Sequence, residues 1–477
     1  MPLVIPLSRG REPLSRQIYD GLRQAILRGT LSQREKLPST RALADQLKVS
    51  RTAVVLAYEL LLAEGFVQGR AGSGTYVSEG LTVRQPKART SRAKVKLSRF
   101  GAAAEAAASH AILPSARSAT LRYDFAYGRS DIEVFPFELW RRLLLRRARQ
   151  APVREFDYGP AAGSLALREA IAAHLRRSRA VACDPAQVIV VSGSQQAIDL
   201  VVRVLVEHHD RVALEDPGYQ GTREILRAAG ARLAPVPVDR DGLDPNRLPD
   251  DARVAFVTPS HQFPTGAILP LARRLALLDW ARLNDAVIIE DDYDGEFRYE
   301  EQPLESLQGL DTEGRVIYIG TFSRTIFSAL RIGYLIVPTS LVGAFTASKW
   351  LCDRHTPTLE QETLADFIAS GMYERHLRRV RRRNTARRDV LLEAIGKHLG
   401  DSVEVTGQGA GAHVVLWPGR RKSENGAAEK AASRGVGIYG IAPYFSTKPT
   451  RPGLMLGYSR MKEADIREGI RRLSGLL

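Results

Sequence analysis

The chain has 477 residues, 44% hydrophobic and 26% charged, with a formal net charge of +16. It is long enough for two or more domains with a large buried core, and its composition is that of a globular protein in water. No apolar run approaches the roughly 20 residues that span a bilayer, and the opening Met1-Pro2-Leu3-Val4-Ile5-Pro6-Leu7 is too short and Pro-interrupted for a secretory signal. Cys183 and Cys352 cannot build a disulfide framework, so a reducing cytoplasm is expected.

The basic excess is uneven. Residues 1–120 hold 19 Lys/Arg against 8 Asp/Glu, which favours a polyanionic partner for this end. Leu14, Ile18, Leu22 and Ile26 mark one face of a helix over 14–27, stopped by Gly29. Ser39 is placed to cap a short helix carrying Leu43 and Leu47, and Lys48-Val49 turns the chain. Ser50 then caps a helix from Arg51 to Glu64, with Val54, Tyr58 and Leu61 inward and Gly65 at its end. Two helices joined so tightly read as helix-turn-helix. Phe66-Val67-Gln68 and Thr75-Tyr76-Val77, joined through Arg70-Ala71-Gly72-Ser73-Gly74, read as a β-hairpin wing. Leu37-Pro38-Ser39-Thr40-Arg41, Ser50-Arg51-Thr52, Tyr58 and Glu64-Gly65 together are similar to the winged helix of the GntR superfamily. The resemblance implies that Arg41, Arg51 and Thr52 contact double-stranded DNA. It also implies that Gly72 and Gly74 shape a wing tip in the minor groove. Arg51 and Thr52 stand at the first turn of the second helix, where free N–H groups and side chains meet phosphates and base edges. Residues 1–78 form the expected DNA-binding head.

Residues 79–120 change character. Thr82 to Arg99 has seven Lys/Arg and no acid, and Gly101 to Ala108 is a low-complexity run with little to bury. The segment reads as a mobile tether, its basic part either adding non-specific DNA affinity or serving as a plain spacer.

From about residue 121 to 477, buried strands alternate with amphipathic helices, the pattern of a mostly parallel α/β sheet. Gln187-Val188-Ile189-Val190-Val191 reads as a strand, and Ser192-Gly193-Ser194-Gln195-Gln196 opens a helix suited to a phosphate. Glu215-Asp216-Pro217-Gly218-Tyr219 follows the next strand and offers an aromatic plane. Thr258 to Gly266 reads as a tight polar turn that includes His261. Ala286-Val287-Ile288-Ile289 runs into Glu290-Asp291-Asp292-Tyr293-Asp294. There a strand-end carboxylate, two residues before a tyrosine, can hold a pyridine nitrogen protonated. Val316 to Ile319 delivers Gly320-Thr321-Phe322-Ser323-Arg324. Ligands bind at such strand ends in open α/β sheets.

In order and number these motifs resemble the aminotransferase-like domain of the MocR subfamily of GntR regulators, from Tyr158-Gly159 to Pro338 with few gaps. The resemblance implies a fold type I, pyridoxal-phosphate-dependent aminotransferase architecture with a smaller C-terminal α+β subdomain. Asp291 would face the pyridine nitrogen, Tyr293 the 3-hydroxyl, and Tyr219 would stack on the ring. Ser194, Gln195, Thr321 and Arg331 would hold the phosphate. Tyr158 would reach the site of a neighbouring subunit in a homodimer. His261 occupies the turn over the ring, as a ligand contact or as a structural histidine.

The departures matter as much. Arg324 stands at the place of the cofactor lysine, and a guanidinium neither loses its proton nor attacks an aldehyde. Ser328 stands where the family usually has proline. Arg451 is near the place expected for a substrate-carboxylate arginine but out of register. Lys349 reads as a solvated helix lysine rather than a substitute nucleophile. Residues 371–388 hold eight arginines, read either as a second DNA contact or as a solvated or inter-subunit helix. No metal ligand is assigned.

Three readings of Arg324 stay open. The pocket keeps pyridoxal phosphate non-covalently, or it takes another anion such as a preformed amino-acid adduct, or it is a vestigial pocket in a dimerisation scaffold without cofactor. The expected function is DNA-binding transcription regulation governed by a small-molecule effector, in the cytoplasm and away from membranes. The competing class is an active aminotransferase with a fused DNA-binding head, against which Arg324 argues.

Overall fold

A computed structural model describes residues 5–8, 12–70, 72–79, 95–108, 121–128, 130–299, 305–419 and 423–477. The chain divides into two compact units, Met1–Lys96 and Leu97–Leu477.

The first unit contains α1 (Leu14–Leu27), α2 (Thr40–Leu47), α3 (Arg51–Ala63) and a hairpin of β1 (Val67–Arg70) and β2 (Gly74–Val77). Ile18, Leu22 and Ile26 of α1 are buried with Leu43 of α2 and Val54, Tyr58 and Leu61 of α3, so the three apolar stripes share one core. Ser39 Oγ accepts from the Ala42 N–H at 3.2 Å and Ser50 Oγ from the Ala53 N–H at 3.3 Å, the caps expected from the sequence. Lys48 turns the chain between α2 and α3 with φ 53°, and the Tyr58 hydroxyl ties α3 to the segment that opens α2 by donating to the Pro38 carbonyl at 2.8 Å.

The second unit opens with α4 (Arg99–Ala108) and the short strand β3 (Tyr123–Asp124). α4 lies against α8 (Gln220–Ala229). The alanine run expected to be part of a mobile tether is therefore helical, in keeping with the high helix propensity of alanine. The rest of the expected tether, residues 80–94 and 109–120, lies outside the described residues.

The remaining elements up to the sheet's last strand are α5 (Phe137–Gln150), α6 (Leu165–Arg179), β4 (Val188–Val191), α7 (Ser194–Leu205), β5 (Arg211–Asp216), β6 (Arg232–Asp239), β7 (Gly242–Leu243), β8 (Val254–Val257), α9 (Leu271–Leu283), β9 (Val287–Asp291), α10 (Leu307–Leu310), β10 (Val316–Thr321) and β11 (Gly333–Ile336). The eight strands order as β4-β11-β10-β9-β8-β5-β6-β7. Only β11 and β7 run antiparallel to their neighbours. β4, β8, β10 and β11 are unbroken apolar runs, nearly all buried, because helices cover both faces of a parallel sheet. All the parallel strands end on one edge, and that edge carries the motifs named above.

Beyond the sheet come α11 (Val342–Asp353), α12 (Thr358–Ala369) and the 27-residue α13 (Met372–His398). The chain then builds β12 (Val403–Thr406), β13 (His413–Pro418), α14 (Glu424–Ser433), β14 (Val436–Gly437), β15 (Tyr439–Gly440), β16 (Leu454–Gly457) and α15 (Glu463–Leu473). Here β12-β13-β16-β15 form a four-stranded sheet, and β14 pairs with β3. This is the smaller α+β subdomain expected from the sequence, with its own core of Phe125, Leu391, Val414, Leu456 and Ile470. On α13, Arg387 is buried against Asp131 at 2.7 Å, Arg383 reaches the same carboxylate at 3.0 Å, and Arg381 pairs with Glu296 at 2.8 Å. Part of the arginine run is thus internal, while Arg375, Arg378, Arg379 and Arg382 stay exposed.

Candidate functional site

In the head, Arg41, Arg51 and Thr52 are exposed, the last two in the first turn of α3. The N–H groups of that turn lack helical partners, which suits an anion. Gly72 and Gly74 are exposed at the hairpin tip with φ of 75° and 119°, conformations open to glycine at low cost. Arg70 stacks on Tyr76 with 4.9 Å to the ring centre, and Lys36 reaches the same ring at 5.9 Å. Sequence reading missed these two cations, of which Arg70 pairs with Gly74 at the wing tip.

In the body, the sheet topology brings most of the expected pocket residues to one edge. β4 ends at Ser192-Gly193, and Ser194 and Gln195 begin α7. Gly193 has φ 89° and ψ 172°, and a Cβ there would lie 2.9 Å from Arg331 Nη2. Arg331 donates to the Ser192 carbonyl at 2.6 Å, so its cation lies beside the free amides of α7. Thr321, at the end of β10, accepts from the Ser323 N–H at 3.2 Å. These groups form a cradle of amides, hydroxyls and one guanidinium.

Beside the cradle, Glu215, Gly218, Tyr219, Thr222, Thr258 and Asp291 line one cavity. Tyr219 caps α8 from its N-terminal side and donates to Gln195 Oε1 at 3.1 Å. Asp291 Oδ1 is sealed from solvent and has no hydrogen-bond partner among the described residues. Burial, with the Asp292 and Asp294 carboxylates nearby, pushes its carboxyl up to about 7. Burial likewise pushes Glu215 up to about 7, opposed by hydrogen bonds from Thr258 and Gln262. An acceptor of this kind, unsatisfied and crowded by negative charge, suits a protonated ring nitrogen.

Tyr293 donates to the His261 carbonyl at 2.9 Å and lies 3.0 Å from its Nδ1. His261 is buried, with Nδ1 3.2 Å from Asp294 Oδ2. His413, at the start of β13, donates from Nε2 to the Pro264 carbonyl at 2.8 Å. Its burial, with His261 beside it, lowers its pKa to about 3 and keeps it neutral.

Arg324 follows β10 in the expected place, and its guanidinium carbon is 4.4 Å from the Tyr127 ring centre. Burial works against its charge. Tyr127, Asp294, Tyr293 and Tyr219 outweigh that and hold it above the ordinary arginine value. Tyr127, Gly128, Tyr458 and Ser459 line a second cavity with it. Tyr444 closes on the same group of rings, 4.9 Å from Phe263. Its carbonyl accepts from the Gly218 N–H at 3.1 Å, while the Ser446 N–H and Thr447 hydroxyl donate to Asp216 at 2.6 and 2.5 Å. Tyr127, Tyr444, Asp294 and His413 were not found from the sequence. They come from the segment before the sheet, the tail of the pocket tyrosine motif and the small subdomain, and no local motif ties them together.

The other expected residues fall outside the pocket edge. Tyr158 is 75% exposed, with Arg354 5.1 Å from its ring centre. Lys349 is not solvated as expected. It is fully buried and pairs with Asp353 one turn later, which in turn accepts from Gln196 Nε2 at 2.7 Å. Arg451 stacks on Trp417 at 3.9 Å and pairs with Glu404 at 2.5 Å, which turns it to its own subdomain.

Residues 129–473 match aminotransferase class I and II, and residues 14–77 match the gntR family of bacterial regulatory proteins. The chain is 39% identical to the probable rhizopine catabolism regulatory protein MocR of Rhizobium meliloti, over 97% of its own length and 93% of that protein's. It is 35% identical to the HTH-type transcriptional regulator TauR of Rhodobacter capsulatus, over 96% of each. Its structure is similar to that of the alpha-aminoadipate aminotransferase LysN of Thermus thermophilus, complexed with N-(5'-phosphopyridoxyl)-L-leucine. That likeness has a TM-score of 0.69 at 29% identity and covers 78% of this chain and 96% of the other. The likeness to regulators runs through head and body alike, and the chain belongs to the MocR type of GntR-family transcriptional regulators.

Proposed function

We propose that this regulator binds operator DNA through its head and holds pyridoxal phosphate, or a preformed amino-acid adduct of it, without a covalent bond in its body. The observation that carries this reading is Arg324 just after β10, beside a group of helix-start amides, hydroxyls and the Arg331 guanidinium that suits a phosphate. The orphaned Asp291 Oδ1 fits a protonated pyridine nitrogen, and the Tyr293 phenol fits the neighbouring hydroxyl. Tyr219 offers the stacking plane, and Ser194, Gln195, Thr321 and Arg331 fit the phosphate. When bound, the cofactor would supply an aldehyde and an electron-accepting ring. Arg324 stays charged and can neither join that aldehyde nor carry a proton from a substrate carbon. The pocket therefore binds and orients, and the protein is a ligand-sensing regulator rather than a transaminase. The resulting shape would set the DNA affinity of the head.

A homodimer is part of this proposal. Tyr158, Trp350 and Arg354 make an exposed stacked strip, with Phe156 and Leu351 also exposed, which suits burial against a second copy. A cytoplasmic site of action follows from the operator. Among the described residues no helix is long and apolar enough to cross a membrane.

The experiment is equilibrium dialysis of the purified protein against pyridoxal phosphate, with an amino donor present in a parallel arm. Saturable binding that denaturation releases is expected, with no keto acid formed above the free-cofactor background. Steady keto-acid production would restore the enzyme reading. Absence of binding to the folded protein in both arms would leave the pocket to a different ligand.

A further inference from the structure

We propose that His261, Asp294 and His413 bind a divalent transition-metal ion of the zinc or cobalt class. The three side chains are 2%, 3% and 0% exposed. One nitrogen of each histidine and one carboxylate oxygen of Asp294 lie within 4.8 Å of one another. His261 Nδ1 is 3.2 Å from Asp294 Oδ2. Two ligands of a tetrahedral ion, each bound at about 2.0–2.1 Å, stand about 3.3 Å apart. The two imidazole centres are 5.0 Å apart and their planes are inclined at 63°. Rings converging on one ion at those bond lengths have centres about 5 Å apart.

The hydrogen bonding points the same way. His413 gives its Nε2 proton to the Pro264 carbonyl at 2.8 Å, which fixes the tautomer and leaves the Nδ1 lone pair free. A backbone carbonyl on the far nitrogen is the usual support of a metal-binding histidine. Among the described residues Nδ1 of His413 has no hydrogen-bond partner, and neither does Asp294 Oδ2. Buried acceptors left unmatched cost stability, so such pairs are rarely left alone. An ordinary ion pair between His261 and Asp294 would leave His413 Nδ1 unmatched, whereas one cation satisfies both. At His413 the Asp294 carboxylate supplies the negative charge, with the Arg324 cation opposing it. The Tyr293 phenol, 3.0 Å from His261 Nδ1, or a water could complete the coordination.

The placement gives the ion a task. His261 follows β8 and Asp294 follows β9 of the large sheet, whereas His413 begins β13 of the small one. The ion would clamp the two sheets together next to Tyr293. The shape of the pocket would then depend on metal as well as on its organic ligand.

The test uses the full chain without a histidine tag, stripped with chelator, and titrated with Co2+ and separately with Zn2+. One retained equivalent after gel filtration, a visible four-coordinate Co2+ band and a raised Tm with Zn2+ are expected. Asp294→Asn and His413→Gln should each weaken uptake by roughly 10–100-fold or more, given that loss of even an outer-shell partner costs that much. Replacing the exposed pair His208 and His209 by alanine should change nothing, and this variant touches no core. The proposal is overturned if the wild type retains no equivalent, or if the His208/His209 variant alone loses it. It is also overturned if Asp294→Asn and His413→Gln bind as the wild type does.

Discussion

The guanidinium of Arg324 lies over the Tyr127 ring, 4.4 Å from its centre, and makes no ion pair with Asp291 among the described residues. These two groups are thus kept apart. The cation rests on an aromatic face, where it is stabilised by ring electrons and by phenol dipoles. The carboxylate keeps an unmatched oxygen. This geometry leaves Asp291 Oδ1 available as an acceptor.

Arg51→Ala should weaken specific operator binding about 5–150-fold and leave the body folded. Arg51 is exposed in the first turn of α3, so its removal leaves the core of the head intact. One lost base or phosphate contact should cost about 1–3 kcal/mol. A gel-shift titration on DNA upstream of the protein's own gene checks it, and unchanged affinity would refute the assignment.

Gly193→Ala should damage the phosphate cradle. At φ 89° and ψ 172°, Gly193 holds a conformation that is essentially glycine-only and costs other residues about 1–3 kcal/mol. The added methyl would also sit 2.9 Å from Arg331 Nη2 and push it off the Ser192 carbonyl. Lower Tm and weaker pyridoxal phosphate binding are expected together. A variant that binds the cofactor as tightly as the wild type would remove Gly193 and Arg331 from the cradle.

The Asp291 carboxyl, held at about 7 by burial and by Asp292 and Asp294, gives the ligand-free protein a defined pH dependence. The unfolded chain releases this proton near its ordinary pKa of about 3.9. Between about pH 4 and pH 7 the folded state therefore binds more protons, and stability falls as pH rises through that window. Asp291→Asn is neutral throughout. It should melt at a higher temperature than the wild type at about pH 8, and the two curves should converge toward about pH 4. Equal melting temperatures across the range would show that this carboxyl is not so perturbed. The same substitution should weaken retention of pyridoxal phosphate, because the ring nitrogen loses its anionic partner.

Arg324→Lys should restore covalent capture of the cofactor. In the proposed reading Asp291, Tyr293, Tyr219 and Arg331 hold the cofactor, and a lysine among buried groups can release its proton. Borohydride treatment followed by peptide mass analysis should find the pyridoxyl group on residue 324. A folded variant that never forms this adduct would mean that the pocket has changed its ligand.

Much of this was legible in the sequence because local rules decide it. Ser39 and Ser50 cap helices, Gly193 opens a turn, and the apolar runs of β4, β9 and β10 read as buried strands. The placement of Ser194, Tyr219, Asp291 and Thr321 at one sheet edge was legible for the same reason, since the end of a parallel strand fixes where its next residues go. Long-range packing decided the rest. Lys349 reads as a surface lysine on its helix, and only the approach of α11 to α7 buries it against Asp353. Tyr127 and Tyr444 are, respectively, 197 and 120 residues of chain away from Arg324. No spacing rule brings them to one cation. The run from Gly101 to Ala108 looked structureless by complexity, yet helix propensity and a place against α8 made it a helix.

The most direct test of the central claim is the fate of pyridoxal phosphate on the wild-type chain. The purified protein is saturated with cofactor, treated with borohydride while folded, then denatured and its peptides weighed. The account predicts cofactor bound before denaturation, all of it released afterwards, and no pyridoxyl group on any peptide. A stoichiometric adduct on any lysine of the wild type, or no binding by the wild type where Arg324→Lys binds, would contradict it.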